Sequence, residues 1–477
     1  MTSNKSYSAV KWNGINSLFS QAVTFILGAL LMRLLAPEDF GLLGMVTVFT
    51  GFLNVLKDSG LGSSLIYRKT LKPDDINTVF WFNVFMGLLL SLFLFSMSYP
   101  LAIYYEEIRL NDIVKVYSLI FTVSASTIVP TALLTKYLQF KKKFIVESFS
   151  VILSGVLGVF MALANYGVWS LIAMHLFRVS LHALILWFIF PFKPQLAFSF
   201  SVLKSHFGYS LPVFGTKSFN YWTRNADNLF IGKLLGSEAL GFYSRAFFFV
   251  TFPVQRFTNV LGGVLFPVMT QGDYTKNRIR QLLIRAIRLV ALVTFPLMGL
   301  LIVSAEPFIL LVFGSQWLPM LPALRILSVL AMLESVLVLT TPVFYALGAT
   351  KLNFKISVVL GLVNILIFYV GAQYSIETVA WLLLVSTSLF TLPRVYFVIK
   401  MTDAVVGDFI NAVGKTFLIT ICAMTGVVLL SRILTGSPLQ LFMIFSSTHL
   451  TVYLLLSLWL SRKEFEEVKN SVALLLK

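Results

Sequence analysis

The sequence predicts an all-α polytopic membrane protein, and three observations carry that prediction. Of 477 residues, 58% are apolar and only 12% are charged, about half the charged share of a soluble domain. The apolar residues fall into runs of about 20, the length that crosses the hydrocarbon core of a bilayer. The basic residues are sorted to one side of those runs, leaving a formal net charge of +17 from 37 Lys+Arg and 20 Asp+Glu to be placed.

Fourteen runs qualify as spans, at about 15–35, 41–57, 77–98, 114–135, 144–164, 168–190, 208–231, 240–265, 283–304, 322–347, 355–372, 377–398, 413–434 and 439–460. The first follows a polar segment, Met1 to Gly14, and lacks the small-residue pattern of a cleavage site, so it reads as an uncleaved span. The remaining residues are shared among short loops and two tails, which leaves no room for a sizeable extramembrane domain. An even number of spans places both termini on one side. That side carries 25 Lys/Arg and the other carries five: Arg33, Arg109, Lys115, Lys233 and Arg432. The positive-inside rule then makes both termini cytoplasmic.

A repeat appears at an offset of 200. Leu34-Leu35-Ala36-Pro37-Glu38-Asp39-Phe40-Gly41 aligns with Leu234-Leu235-Gly236-Ser237-Glu238-Ala239-Leu240-Gly241, each preceded by a basic residue. Pro130 and Pro342 occupy similar places in the fourth and tenth spans. Repeated halves are a transporter signature. Starting six spans apart, these halves have the same orientation, related by an axis along the membrane normal. The expected division is 1–200 and 201–402 for two six-helix lobes, with 403–477 holding two accessory spans and a tail.

Seven basic residues lie within spans: Arg178, Lys217, Arg224, Arg245, Arg256, Arg325 and Arg394. Ionisable groups at that depth usually face an interior or an aqueous cavity. The seventh span is the most informative. Lys217, Asn220, Arg224, Asp227 and Asn228 follow three- and four-residue spacing and form one polar stripe on an otherwise apolar helix. Arg224 and Asp227 are close enough to pair. A buried tie between helices needs one such pair, whereas this stripe runs about three turns, which favours a cavity face. Arg245 and Arg256 share a face of the eighth span, although outward snorkelling of one and inward snorkelling of the other is the alternative. Arg178 has His175 and His182 beside it on the sixth span. Arg325 and Arg394 sit near span ends, where snorkelling is the expectation. His206 and His449 are isolated and read as structural. Lys136-Tyr137-Leu138-Gln139-Phe140-Lys141-Lys142-Lys143 mixes cations and aromatics at the interface and reads as an anchor to anionic lipid rather than to nucleic acid.

Enzyme chemistry finds little support. Cys422 is alone, so neither a disulfide framework nor a cysteine metal site is expected. There is no glycine-rich phosphate loop, nucleophile elbow or paired His ligand set. The two deep carboxylates, Asp227 and Glu334, lie over 100 residues apart. They are candidates for coupling to H+ or Na+; no other cofactor and no metal is expected.

Several motifs carry a resemblance. Val10-Lys11-Trp12, Leu35-Ala36-Pro37-Glu38-Asp39-Phe40-Gly41-Leu42 and Asp58-Ser59-Gly60-Leu61-Gly62-Ser63-Ser64-Leu65-Ile66 resemble the bacterial polysaccharide exporters. So do Thr78-Val79-Phe80-Trp81-Phe82-Asn83 and Arg224-Asn225-Ala226-Asp227-Asn228-Leu229-Phe230-Ile231-Gly232. The chain is most similar to the colanic-acid, teichuronic-acid and O-antigen type flippases of the multidrug/oligosaccharidyl-lipid/polysaccharide exporter superfamily. The likeness covers most of the chain and is clearest before residue 280. It implies two six-helix lobes in a V around a central cavity, with two accessory helices. It also implies a location in the bacterial inner membrane and passage of an undecaprenyl-pyrophosphate-linked repeat unit to the outer leaflet. A polysaccharide polymerase and export machinery are the partners such a role implies.

The residues agree with that chemistry. A diphosphate suits guanidinium groups, which bind oxyanions through paired hydrogen bonds. The expected anion site is Arg224 and Arg256 with Lys217, Arg245 and Arg178, and Asn220, Asn225 and Asn228 are placed to meet sugar hydroxyls. Two alternatives stand beside this reading. A drug or cation antiporter of the same superfamily predicts an acidic cavity, against seven intramembrane cations and two carboxylates here. A polysaccharide polymerase or ligase needs longer external loops than 99–111 provides.

Overall fold

The computed structural model describes residues 2–57, 61–68, 70–190, 193–271 and 275–460. The expected cytoplasmic tail after 460 lies outside that set. Among the described residues the chain is helical without strands, and it divides into two compact units, Met1–Gly241 and Phe242–Lys477.

The first unit opens with α1 (Thr2–Leu34) and α2 (Pro37–Lys57), then the short α3 (Leu61–Tyr67) and α4 (Pro73–Ser96). It continues through α5 (Ser98–Tyr105), α6 (Arg109–Ala125), α7 (Ile128–Lys136), α8 (Phe140–Leu163) and α9 (Val168–Ile189). The unit boundary falls inside α10 (Phe200–Thr270), a helical run broken at Gly236, where φ is +86°. Proline starts α2 and α4 at the position where its missing N–H costs nothing, and Glu38, Asp39, Asp74 and Asp75 place negative charge at those positive helix ends. Leu61, Leu65, Val79, Phe80, Val129 and Leu133 form a buried core cluster among α3, α4 and α7.

The second unit holds α11 (Lys276–Val303), α12 (Ala305–Val312), α13 (Leu321–Leu337), α14 (Thr341–Ala346), α15 (Thr350–Gly371), α16 (Ile376–Thr402), α17 (Val406–Ser431) and α18 (Pro438–Leu460). Its largest cluster gathers Leu283, Ile287, Val290, Leu339, Phe344 and Val398.

Eleven of these helices are long and apolar enough to cross a membrane, or twelve if the bent pair α6–α7 counts as one span. The expected fourteen is therefore not reached on length and apolarity among the described residues. The two expected spans outside the set, 208–231 and 240–265, both lie in α10. Lys217, Arg224 and Asp227 in the one and Arg245 and Arg256 in the other lower its apolarity.

Proline placement explains two breaks. The fourth span bends by 41° between Ala125 and Ile128, just ahead of Pro130. The tenth breaks into a 3-10 turn at Val338–Thr340, just ahead of Pro342. In both, a proline lacks the N–H that would continue the preceding turn.

Three segments flagged by the sequence acquire structural roles. In the Thr78–Asn83 motif, Trp81 Nε1 donates to the Gln195 carbonyl at 2.8 Å, and Thr78 Oγ1 accepts from the Ser199 N–H at 3.1 Å. Asn77 Oδ1 adds a bond from the Gln195 N–H at 3.0 Å, so α4 holds the connection into α10. The 136–143 segment, read as a lipid anchor, is largely engaged within the protein. Lys136 Nζ donates to the carbonyls of Leu65, at 3.0 Å, and of Arg68, closing the end of α3. Lys141 lies over the Trp12 ring, Lys142 over Phe190, and Lys143 is 3.8 Å from Glu147. Arg394, expected to snorkel, instead donates to Thr340 and Thr341 hydroxyls, both at 2.6 Å, and lies over the Phe344 ring. Hydroxyl oxygens at the broken tenth span accept from a guanidinium that would otherwise be costly to bury.

A set of ion pairs joins the loop between α5 and α6 to neighbouring helices. Arg109 pairs with Glu38 and, at 2.7 Å, with Glu107. Lys233 Nζ lies 2.7 Å from Glu106 and over the Tyr104 ring. All of these belong to the face that the sequence count assigns to the outside.

Candidate functional site

Within the first unit, α2 and α10 are fastened together through Tyr221. Its hydroxyl donates to the Val48 carbonyl at 2.6 Å and lies 3.1 Å from that of Thr47. The ring packs tilted against Phe52, with centroids 6.2 Å apart. Gly51 makes the approach possible, because a Cβ there would meet the Tyr221 hydroxyl at 2.2 Å.

Beside this joint lies a cavity of about 750 Å³, lined by Asn54, Lys57, Lys217, Asn220, Arg224 and Asn225 along with Tyr221, Val55 and Ile128. Three cations and three amides face it, with no carboxylate among the lining residues. On α10 the lining positions recur at three and four residues, the face expected from the stripe. Lys57 is steered by α6: its Nζ donates to Ser124 Oγ at 2.7 Å and stands 5.7 Å over the Phe121 ring. Asn54 and Asn225 donate their amides to the carbonyls of Thr50 and Tyr221, at 2.9 and 2.8 Å. Their side-chain oxygens remain as acceptors. Arg224 is exposed and forms no hydrogen bond or ion pair with the described residues.

The expected site residues separate as follows. Lys217, Asn220, Arg224 and Asn225 come together at the cavity. Asp227 and Asn228, one turn further along, are not in its lining. Asp227 is buried, 3% exposed, and its Oδ1 accepts the Asn228 N–H at 2.7 Å. Arg224 and Asp227 therefore do not pair, because one faces the cavity and the other the packed side of the helix. Arg178 lies on α9, away from the lining and within electrostatic range of Glu147. Neighbouring His175 Nδ1 bonds the Tyr117 hydroxyl at 2.9 Å. Arg245 and Glu334 belong to the second unit, where Arg245 sits over the Phe248 ring at 5.6 Å. The side chains of Arg256 and His206 lie outside the described residues. Sequence reasoning missed Lys57, Asn54 and Tyr221. The Asn54–Lys57 spacing at the end of an apolar span was the available signal.

The polytopic helical fold that carries this cavity is shared with solved membrane proteins. The lipid II flippase MurJ in an inward closed conformation superimposes with a TM-score of 0.76 at 16% identity, covering 94% of this chain and 98% of that one. An inward-facing multidrug resistance MATE transporter gives 0.59 at 14% identity, covering 80% and 94%. The chain belongs to the polysaccharide biosynthesis protein family, whose model matches residues 30–322. It is 29% identical to the teichuronic acid biosynthesis protein TuaB of Bacillus subtilis, over 87% of this chain and 86% of that one. It is 27% identical to the succinoglycan biosynthesis transport protein ExoT of Rhizobium meliloti, over 67% and 65%. The lipopolysaccharide biosynthesis protein WzxC of Escherichia coli shares 24% over 77% and 75%. The resemblance read from the motifs thus holds at the level of family.

Proposed function

We infer that the protein moves an undecaprenyl-pyrophosphate-linked oligosaccharide from the cytoplasmic to the outer leaflet of the bacterial inner membrane, for export of a surface polysaccharide. The observation that carries this reading is the cavity whose lining holds Lys57, Lys217 and Arg224 and no carboxylate. A diphosphate is anionic at neutral pH, and the Arg224 guanidinium, which has no partner among the described residues, is placed to take two of its oxygens. In a cavity of reduced dielectric such a contact is stronger than in water. Asn54, Asn220 and Asn225 supply acceptors and donors of the kind that sugar hydroxyls use. The polyprenyl tail stays in lipid while the protein alternates access. An inside-negative potential favours outward movement of the anion by about 2.3 kcal/mol per charge per 100 mV if the full field is crossed. Asp227 and Glu334 are the carboxylates assigned to H+ or Na+ coupling. A polymerase acting on the delivered unit is the natural downstream partner.

The family supports polysaccharide export without choosing a sugar, since its members' names include teichuronic acid, succinoglycan and lipopolysaccharide. A cation antiporter is the competing reading, and a cavity lined only by cations and neutral groups repels its substrates. Complementation tests the choice. In a strain lacking its own flippase for lipid-linked oligosaccharides, the wild-type chain restores surface polymer. The Lys217→Ala, Arg224→Ala double variant, present at equal level in the membrane, does not. Normal export by that variant overturns the assignment.

A further inference from the structure

The helices that border the cavity, α2 and the first part of α10, are closed against each other at their far ends. Val55 in the cavity lining and Gly41 at that closure lie about 21 Å apart along α2. There Gly41 and Gly241 approach the Ser237 and Pro37 carbonyls so closely that neither has space for a Cβ. Nearer the cavity, a Cβ on Gly232 of α10 would meet Tyr105 Cε1 at 3.0 Å and Met45 Cγ at 3.3 Å. The Tyr105 ring packs edge-on against Phe49, with centroids 6.0 Å apart. Tyr105 is 5% exposed, and its hydroxyl has no hydrogen-bond partner among the described residues. A buried polar atom without a partner is costly, so the closed contact carries a cost that water would relieve once the helices part.

Across these closed ends runs the turn between α5 and α6, and it is bonded to both helices. On one side Arg109 pairs with Glu38 in the first turn of α2, and Glu107 holds the same guanidinium at 2.7 Å. On the other side Glu106 meets Lys233 of α10 at 2.7 Å. Glu106 takes left-handed backbone, φ +58°, at the C-cap of α5, a conformation that favours glycine. The carboxylate it carries there is the group that reaches α10. The side chains of Glu106, Arg109 and Glu38 are 82%, 49% and 43% exposed. Exposed pairs are individually weak, and weak links acting together suit a contact that must open repeatedly.

We propose that this turn is a strap that latches the ends of α2 and α10 at the face the charge count assigns to the outside. Glu106–Lys233 and Arg109–Glu38 are its two links, and access to the cavity from that face begins with the release of both. The proposal rests on the translocation reading for its need of access from two sides.

Thiol accessibility tests it without a substrate. Cys422→Ala removes the single cysteine, and Val55→Cys then places one thiol at the cavity. In right-side-out membrane vesicles a membrane-impermeant maleimide is expected to label that thiol slowly. Cutting both links with Glu106→Gln and Arg109→Gln should raise the rate about threefold, the scale set by two weak exposed pairs. Glu106→Lys alone should raise it too. Adding Lys233→Glu to that reversal should return the starting rate, a rescue that a merely structural turn does not give. Asp112→Asn with Lys115→Gln, which removes an ion pair internal to α6, should leave the rate unchanged. Should the two-link variant fail to reach the membrane, Glu106→Gln alone is read in the same way. An unchanged rate with the links cut, an equal rise from the α6 pair, or no rescue by the exchanged charges overturns the proposal. The readout involves neither substrate nor any change at Lys217 and Arg224, so its failure leaves the translocation reading standing.

Discussion

Gly41 lies against the backbone of Ser237 so closely that a Cβ would come within 1.6 Å of the Ser237 carbonyl oxygen. Two hundred residues along, the relation is exchanged: a Cβ on Gly241 would come within 1.9 Å of the Pro37 carbonyl oxygen. Position 41 meets 237 and position 241 meets 37, the reciprocal pattern that a two-fold relation produces. The repeat read from Leu34–Gly41 and Leu234–Gly241 is therefore a structural one at this contact, with both segments in the first unit.

Gly41→Ala and Gly241→Ala should each destabilise the protein by about 1–3 kcal/mol or more, the cost of forcing a methyl group into close packing. The obstacle at both positions is backbone, which cannot swing aside. Gly28→Ala serves as the comparison, because nothing lies within 4 Å of its added Cβ. Alanine in a helix interior is favoured there by roughly 1 kcal/mol. Thermal midpoints in detergent should fall for the first two variants and hold or rise for the third.

Tyr453 repairs a proline break. Pro296 inside α11 has no N–H for the Leu292 carbonyl one turn earlier, and the Tyr453 hydroxyl of α18 donates to that carbonyl at 2.8 Å. His449, one turn away, bonds the Pro296 carbonyl through Nε2 at 3.0 Å. Tyr453→Phe leaves a buried carbonyl unsatisfied and should cost about 1–3 kcal/mol. Pairing it with Pro296→Ala, which restores the N–H, should recover part of that loss. A double-mutant cycle on thermal stability measures the coupling.

The loop ion pairs predict a pH dependence. The Arg109 side chain bonded to Glu107 holds that carboxyl below its ordinary value, and the Lys233 bond does the same for Glu106. A carboxylate depressed in the folded state stabilises it fully above the unfolded value, about 4.3 for Glu. That contribution is lost as pH falls through the depressed value. Wild type should therefore be more stable than Glu107→Gln at pH 7, with the gap closing below about pH 4. A gap that widens on acidification contradicts the assignment.

Much of the fold, and part of the lining of the candidate cavity, was legible in the sequence. Periodicity exposed Lys217, Asn220 and Arg224 because a helix brings residues three and four apart onto one face, and an apolar background makes such a stripe visible. Lys57 was not found that way. One cation at a span end reads as topology, and only its contact with Ser124 of α6, 67 positions away in sequence, turns it toward the cavity. Arg394 misled for the opposite reason. Its partners Thr340 and Thr341 are supplied by another helix, and spacing along one span carries no record of them. The Arg224–Asp227 pair failed on geometry. Three residues is near enough to pair, yet the 100° step per residue let the cavity claim one and the core the other.

Lys57→Met should weaken export in the complementation strain while Ser124→Ala, which removes only its neutral partner, has a smaller effect. Equal losses would make Lys57 a structural tie rather than a cavity charge.

The central claim is that the α2–α10 cavity carries an anionic lipid headgroup, and translocation in proteoliposomes tests it most directly. A fluorescent undecaprenyl-pyrophosphate-linked sugar is added to one leaflet, and its passage is followed by quenching. Losing two charge-assisted contacts of about 1.5–3 kcal/mol each should slow the Lys217→Ala, Arg224→Ala protein at least tenfold relative to wild type, with an unchanged thermal midpoint. Equal rates for the two proteins contradict the account.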